Sequence, residues 1–300
     1  MNTVEAGKRI ALKNILFATD FSPGSDAALP YAVSLARKYG ATLHAAHVMP
    51  TAADVMFMSP EGWPALADEI ELKSKQLVTD LERNLKGVPH RLLTPKGKIS
   101  DALVEIITGN EIDFAVLGTH GRTGIRKLAM GSIAEEIFRR ARCPVLSVGP
   151  HVLQKPDRQA EFQHILFATD FRPGSLAALP YAISLAEEDA AELTLLHVVD
   201  QPAAGIVDLE AVTAYLERRL RELIPPDAEH WCHVEYLVEF CGQFASPAER
   251  ILEVAHDRAT ELIVLGVRSV HGKLGLVTHL ASTTAQILAY AACPVLSVRA

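Results

Sequence analysis

The chain has 300 residues, 49% of them hydrophobic and 22% charged, with a formal net charge of −7. That balance excludes a disordered polymer, and no apolar run reaches the length of a membrane span. The length suits two domains of ordinary size, each able to bury a core.

The charge is unevenly shared. Residues 1–150 hold 18 Lys+Arg against 16 Asp+Glu, a balance of +2, and residues 151–300 hold 11 against 20, a balance of −9. Neither half shows the basic stripe that a nucleic-acid backbone requires. The opening residues, MNTVEAGKRIALK, lack the apolar core of a signal peptide, so the expected location is cytoplasmic. Cys143 and Cys293 share the phrase Cys-Pro-Val-Leu-Ser-Val and read as buried residues before a strand. His230, Cys232, His233 and Cys241 fit no common zinc spacing, and no metal site is expected.

Taken in order, residues 15–19 form an apolar run closed by Asp20, which predicts a buried strand. Ser22-Pro23-Gly24-Ser25 reads as a turn before a helix over 26–39 that Gly40 ends. A second strand is expected over 42–48, irregular chain over 51–63, and a long amphipathic helix over 66–85. A short strand at 91–93 precedes a helix over 101–108 capped by Ser100. A fourth strand at 114–117 stops at Gly118; a helix is expected over 132–141 and a fifth strand over 145–148.

The chain then repeats itself. Residues 14–36 match residues 164–186 at 19 of 23 positions, and CPVLSV closes both halves at an offset of 150. Domains are therefore expected at 1–150 and 151–300, joined by a linker over 149–161. The second set of strands is expected at 165–169, 193–199, 234–238, 262–265 and 295–298, with helices at 176–188, 207–223, 247–259 and 283–290. Strands alternating with helices predict an α/β fold with a parallel sheet covered on both faces.

The segment between the fourth strand and the next helix carries the chemistry. Residues 118–132 contain Gly118, Gly121, Gly124 and Gly131, with Arg122, Arg126 and Lys127 among them. Glycines let backbone N–H groups turn toward an anion, and a helix beginning at Ser132 adds unpaired N–H groups and a positive dipole end. Ser132-Ile133-Ala134-Glu135 also reads as a capping box. His120 has no identifiable companion carboxylate or nucleophile, so no catalytic residue is assigned.

The spacing Gly118, two residues, Gly121, nine residues, Gly131-Ser132 resembles the nucleotide-binding signature of the universal stress protein family. Two repeats covering nearly every residue resemble a tandem member. The resemblance implies two flavodoxin-like (Rossmann-like) domains, each a five-stranded parallel sheet of order 3-2-1-4-5. It implies an ATP-binding, stress-response protein of regulatory role, with ATP held with or without Mg2+. It places Asp20 on the nucleoside, backbone at Val48 on adenine, and Gly118, Gly121, Gly131, Ser132 and Ile133 around the phosphates; Arg122, a cation of the same loop, is expected to assist by charge. Asp20 also reads as an Asx-turn or cap residue, and Val48 as core; His47 and His197 read as packing residues.

The second repeat keeps Asp170, Val198, Gly266 and Ser282. It lacks a glycine matching Gly121, has Ala281 for Gly131, and has a loop two residues longer, so a weak or empty second site is expected. Slow ATP hydrolysis or self-phosphorylation is the enzymatic alternative, and a nucleotide-independent interaction module is the third. The resemblance also implies pairing of the two domains within one chain through their last strands. A homodimer contact at Met56-Phe57-Met58 is plausible on exposed apolar character.

Overall fold

A computed structural model of the chain describes residues 10–59, 61–119, 132–152, 161–200, 208–226, 232–242, 245–267 and 283–299, without the side chains of Met58 and Ser132. The chain separates into two compact units, Ala11–Pro150 and Glu161–Ala300, and Ile10 is grouped with the second.

The first unit contains β1 (Asn14–Ala18), α1 (Pro23–Tyr39), β2 (Thr42–Ala46), α2 (Ala52–Met58), α3 (Trp63–Asn84), β3 (His90–Leu93), α4 (Ile99–Gly109), β4 (Phe114–Gly118), α5 (Ser132–Arg140) and β5 (Val145–Val148). Its strands lie in the order β3-β2-β1-β4-β5, and the three pairings β1–β2, β1–β4 and β2–β3 are parallel, as is β4–β5. Ile15, Leu16 and Phe17 of β1 and Phe114, Ala115 and Val116 of β4 are almost wholly buried. Such continuous apolar strands are what a sheet covered on both faces demands.

The second unit follows the same path through β6 (His164–Ala168), α6 (Pro173–Leu176), α7 (Leu179–Asp189), β7 (Glu192–Val199), α8 (Leu209–Arg221), β8 (Val234–Phe240), α9 (Pro247–Asp257), β9 (Leu262–Val267), α10 (Thr283–Tyr290) and β10 (Val295–Arg299). Its order is β8-β7-β6-β9-β10, again parallel at each of these pairings. Both units thus have the 3-2-1-4-5 arrangement expected from the resemblance.

Several local expectations change. Ser22 is the N-cap of α1, not a turn residue: its Oγ accepts the Ser25 N–H while the Ser25 hydroxyl serves the Ser22 N–H. Pro23 then stands at the first helical position, where its missing N–H costs nothing. Residues 52–58, expected to be irregular, form α2, started by reciprocal bonds between Thr51 and Asp54. Ser100 does not cap α4; Lys98 is the N-cap without a side-chain bond, and Ser100 is buried inside the first turn. The helix expected over 176–188 is split into α6 and α7, with Pro180 in the first turn of the latter. Met56 and Phe57 of α2 are exposed, Phe57 by 90%. The linker residues 153–160 lie outside the described residues.

Among the described residues no helix is long and apolar enough to cross a membrane, and none group into a cluster of three or more potential metal ligands.

Candidate functional site at the strand ends

The strand order reverses between β1 and β4, and their carboxyl ends open onto one crevice, the usual place for a ligand in an open α/β sheet. Asp20 lies two residues beyond β1. Its Oδ1 accepts the Ser22 N–H at 3.0 Å, which is the Asx turn anticipated from the sequence. The turn is drawn tight by its neighbours. Phe21 adopts φ 56° and donates its N–H to Thr19 Oγ1 at 3.0 Å, and Thr19 Oγ1 in turn meets Ser25 Oγ at 3.0 Å. A bulky residue at positive φ is strained, and such strain persists only where the surroundings over-determine it. Sequence gave no signal for that conformation.

His47 supplies part of the constraint. Its Nδ1 lies 3.0 Å from Thr19 O, an atom that can only accept, so Nδ1 carries the proton. Nε2 is then the acceptor facing Ser74 Oγ at 3.5 Å, and the imidazole lies against the Phe21 ring at 4.6 Å. His47 is therefore a buried tie between β1, β2 and α3, in agreement with its reading as a packing residue.

Val48 is placed by the alternation of a parallel strand. Ala46 O accepts the Thr19 N–H toward β1, the His47 N–H reaches Leu93 O toward β3, and the Met49 N–H reaches Pro95 O. Val48 between them must direct its N–H and C=O toward the space beyond the end of β1. Its side chain is buried, as the core reading expects, while its backbone faces the crevice.

Gly118 has a packing reason of its own. A Cβ there would lie 2.4 Å from Gly24 O, 2.5 Å from Gly24 C and 2.8 Å from Ser25 N. The glycine is needed so that the end of β4 can touch the first turn of α1, whether or not phosphate is present. Gly266 repeats the arrangement, its Cβ falling 2.0 Å from Gly174 O. Retention of Gly266 in the second repeat therefore follows from packing.

Across the crevice, α5 begins at Ser132, and first-turn N–H groups of a helix lack partners within it. Ile133 is 39% exposed, while Ala134, Ile137 and Phe138 are buried, which sets the helix on the sheet. Arg140 and Lys98 both reach Glu136, and Arg140 also bonds Asp101, joining α5 to α4 at the surface. His120, Gly121, Arg122, Arg126, Lys127 and Gly131 lie outside the described residues, as does the Ser132 hydroxyl. Asp26, on the first turn of α1, has its carboxyl pushed up by partial burial and then by the charge of Asp20.

The second unit repeats the frame. Asp170 Oδ1 accepts the Arg172 N–H at 3.1 Å, Phe171 has φ 59°, and His197 Nδ1 lies 2.8 Å from Thr169 O. Val198 follows the same alternation as Val48, between Leu196, which accepts from Thr169, and Val199, which accepts from Cys241. Ser282 lies outside the described residues.

Known proteins share both the halves and the whole. A universal stress protein of Mycobacterium bovis is 26% identical over 304 residues, covering 95% of this chain and 96% of that protein. Universal stress protein A homolog 1 of Coxiella burnetii is 34% identical over 139 residues, 45% of this chain and 95% of its own length, which is the size of one repeat. The crystal structure of a universal stress protein from Archaeoglobus fulgidus covers 95% of this chain and 98% of its own, with a TM-score of 0.70 at 18% identity, a likeness of fold. The universal stress protein family model matches twice, at residues 11–149 and 161–299, and the chain belongs to that family as a tandem of two domains.

Proposed function

We propose that the chain is a nucleotide-binding regulator of the stress response that holds one ATP in the crevice of its first domain. The observation that carries this reading is the convergence of Asp20 and the backbone of Val48 at the ends of β1 and β2, facing the start of α5 across the reversal of strand order. A strand-end carboxylate suits ribose hydroxyls, a directed N–H and C=O pair suits the edge of adenine, and a helix N-terminus suits phosphate. Gly121, Gly131 and Arg122 complete the phosphate side in this reading, with Mg2+ as an optional companion of the triphosphate.

In this reading binding is the main activity, with slow hydrolysis or self-phosphorylation as the alternative. Asp20 Oδ1 accepts within its own turn and His47 Nδ1 is tied to Thr19 O, which supports a positioning role for both. The direct test is to denature the purified protein and identify released nucleotide by chromatography, then to titrate the emptied protein with ATP and with cAMP. The cyclic nucleotide keeps adenine and most of the ribose but has a single phosphate. Preference for ATP supports the phosphate assignment, and absence of any adenine-nucleotide binding refutes the proposal.

A further inference from the structure

We infer that the second domain closes its own crevice with two guanidinium groups, Arg172 against Asp170 and Arg219 against Phe171, and so excludes an adenine nucleoside independently of its altered loop. The inference rests on the proposal that the first domain takes nucleotide in the same place.

The backbone devices of the two crevices agree closely. The Thr–Ser hydroxyl contact is 3.0 Å in one and 2.9 Å in the other, and the Phe–His ring separation is 4.6 Å and 4.7 Å. Within this shared frame the side chains differ. Ser22, the capping residue of the first domain, is replaced by Arg172, and Asp26 by Leu176. Asp170 then meets Arg172 twice, its Oδ1 taking the backbone N–H and its Oδ2 lying 3.7 Å from the guanidinium Nε. The carboxylate that would receive ribose thus already has a cation beside it, two residues on.

The residue between them is covered as well. Arg219, from α8, places Cζ 4.2 Å from the centre of the Phe171 ring, a cation on an aromatic face. Among the described residues no cation stands over Phe21, its counterpart. A planar guanidinium on a ring occupies the kind of surface that a flat base would otherwise use. The Asp170–Arg172 pair is half exposed, so displacing it alone weakens a ligand by no more than about fivefold. Displacing both groups and their bulk multiplies that loss to beyond about tenfold.

Adenosine separates this account from one based on the loop, because it carries no phosphate for the loop to hold. If the loop alone distinguished the domains, adenosine would fill both crevices of the natural chain equally. The expected result by equilibrium dialysis is one adenosine per chain, rising to two in the Arg172→Ser/Arg219→Ala double variant, the added site surviving Asp20→Ala. In the first domain, Ser22→Arg should weaken adenosine measurably more than Ser22→Ala, by up to about fivefold, since Ser22→Ala removes the cap without supplying a cation. Two equal adenosines in the natural chain, or a double variant remaining at one, would overturn the inference. A natural chain binding none whose double variant binds one would uphold it and remove the proposal for the first domain. If neither binds any, both fall.

Discussion

Replacing Gly118 or Gly266 by alanine separates a packing role from a ligand role. At Gly118 the added methyl would enter within 2.4–2.8 Å of three backbone atoms of Gly24 and Ser25. None of these is the end of a flexible side chain. They belong to the first turn of a 17-residue helix held by the Ser22–Ser25 box and by the Thr19–Ser25 contact, so relief requires the whole of α1 to move. Overpacking of this kind costs about 3 kcal/mol. Gly266 is tighter, at 2.0 Å from Gly174 O, but α6 is only 4 residues long and separate from α7. A cost of about 2 kcal/mol is expected there, since less of the structure must shift. In urea, where slopes are about 1–3 kcal/mol per molar, both variants should lower the unfolding midpoint by roughly 1 M. Gly266→Ala with an unchanged midpoint, alongside Gly118→Ala that lost only ATP affinity, would refute the packing argument and return both glycines to the phosphate.

Asp20→Asn keeps an oxygen for the Ser22 N–H and should leave the urea midpoint within error, while Asp20→Ala should lower it; ATP affinity should fall tenfold or more in Asp20→Ala, for a charge-assisted bond of about 1.5–3 kcal/mol, in titration calorimetry. Arg172→Ser should stabilise the second domain by about 0.5–1 kcal/mol by restoring the cap that Ser22 provides in the first, and an unchanged melting curve would contradict the capping comparison. Burial pushes the Cys143 and Cys293 thiols from an ordinary 9.0 up to about 12, so the unfolded chain ionises first; stability should decline as pH rises from about 9 toward 12, by about 1.4 kcal/mol per unit for each thiol. Alkaline unfolding of Cys143→Ala should show a shallower decline, and a slope equal to that of the natural chain would refute the assignment.

The repeat, the apolar strands and the alternation with helices are readable in the sequence because they depend on local pattern and internal identity. Helix α2 is carried by a Thr51–Asp54 box that the sequence also contains, but seven residues hold too little periodicity to outweigh the irregular composition around them. Asp20 is legible both as an Asx-turn residue and as a ligand candidate, since its turn bond spans two residues. Gly118 is different. Its constraint comes from Gly24, 94 positions earlier in the chain, so the sequence displays a glycine in a loop signature and hides the helix that presses on it. Phe21 and Phe171 at positive φ are invisible for a related reason: the bonds that hold them come from Thr19, Ser25 and His47 together, and their counterparts.

The central claim is that one domain of the pair holds ATP. The measurement that bears on it most directly is the stoichiometry of ATP binding to the emptied chain by titration calorimetry, compared with Gly131→Asp, which sets a carboxylate beside the expected phosphates. The account predicts one ATP per natural chain and none bound tightly by the variant, with the fold retained. Two equivalent sites per chain, both surviving Gly131→Asp, would contradict it.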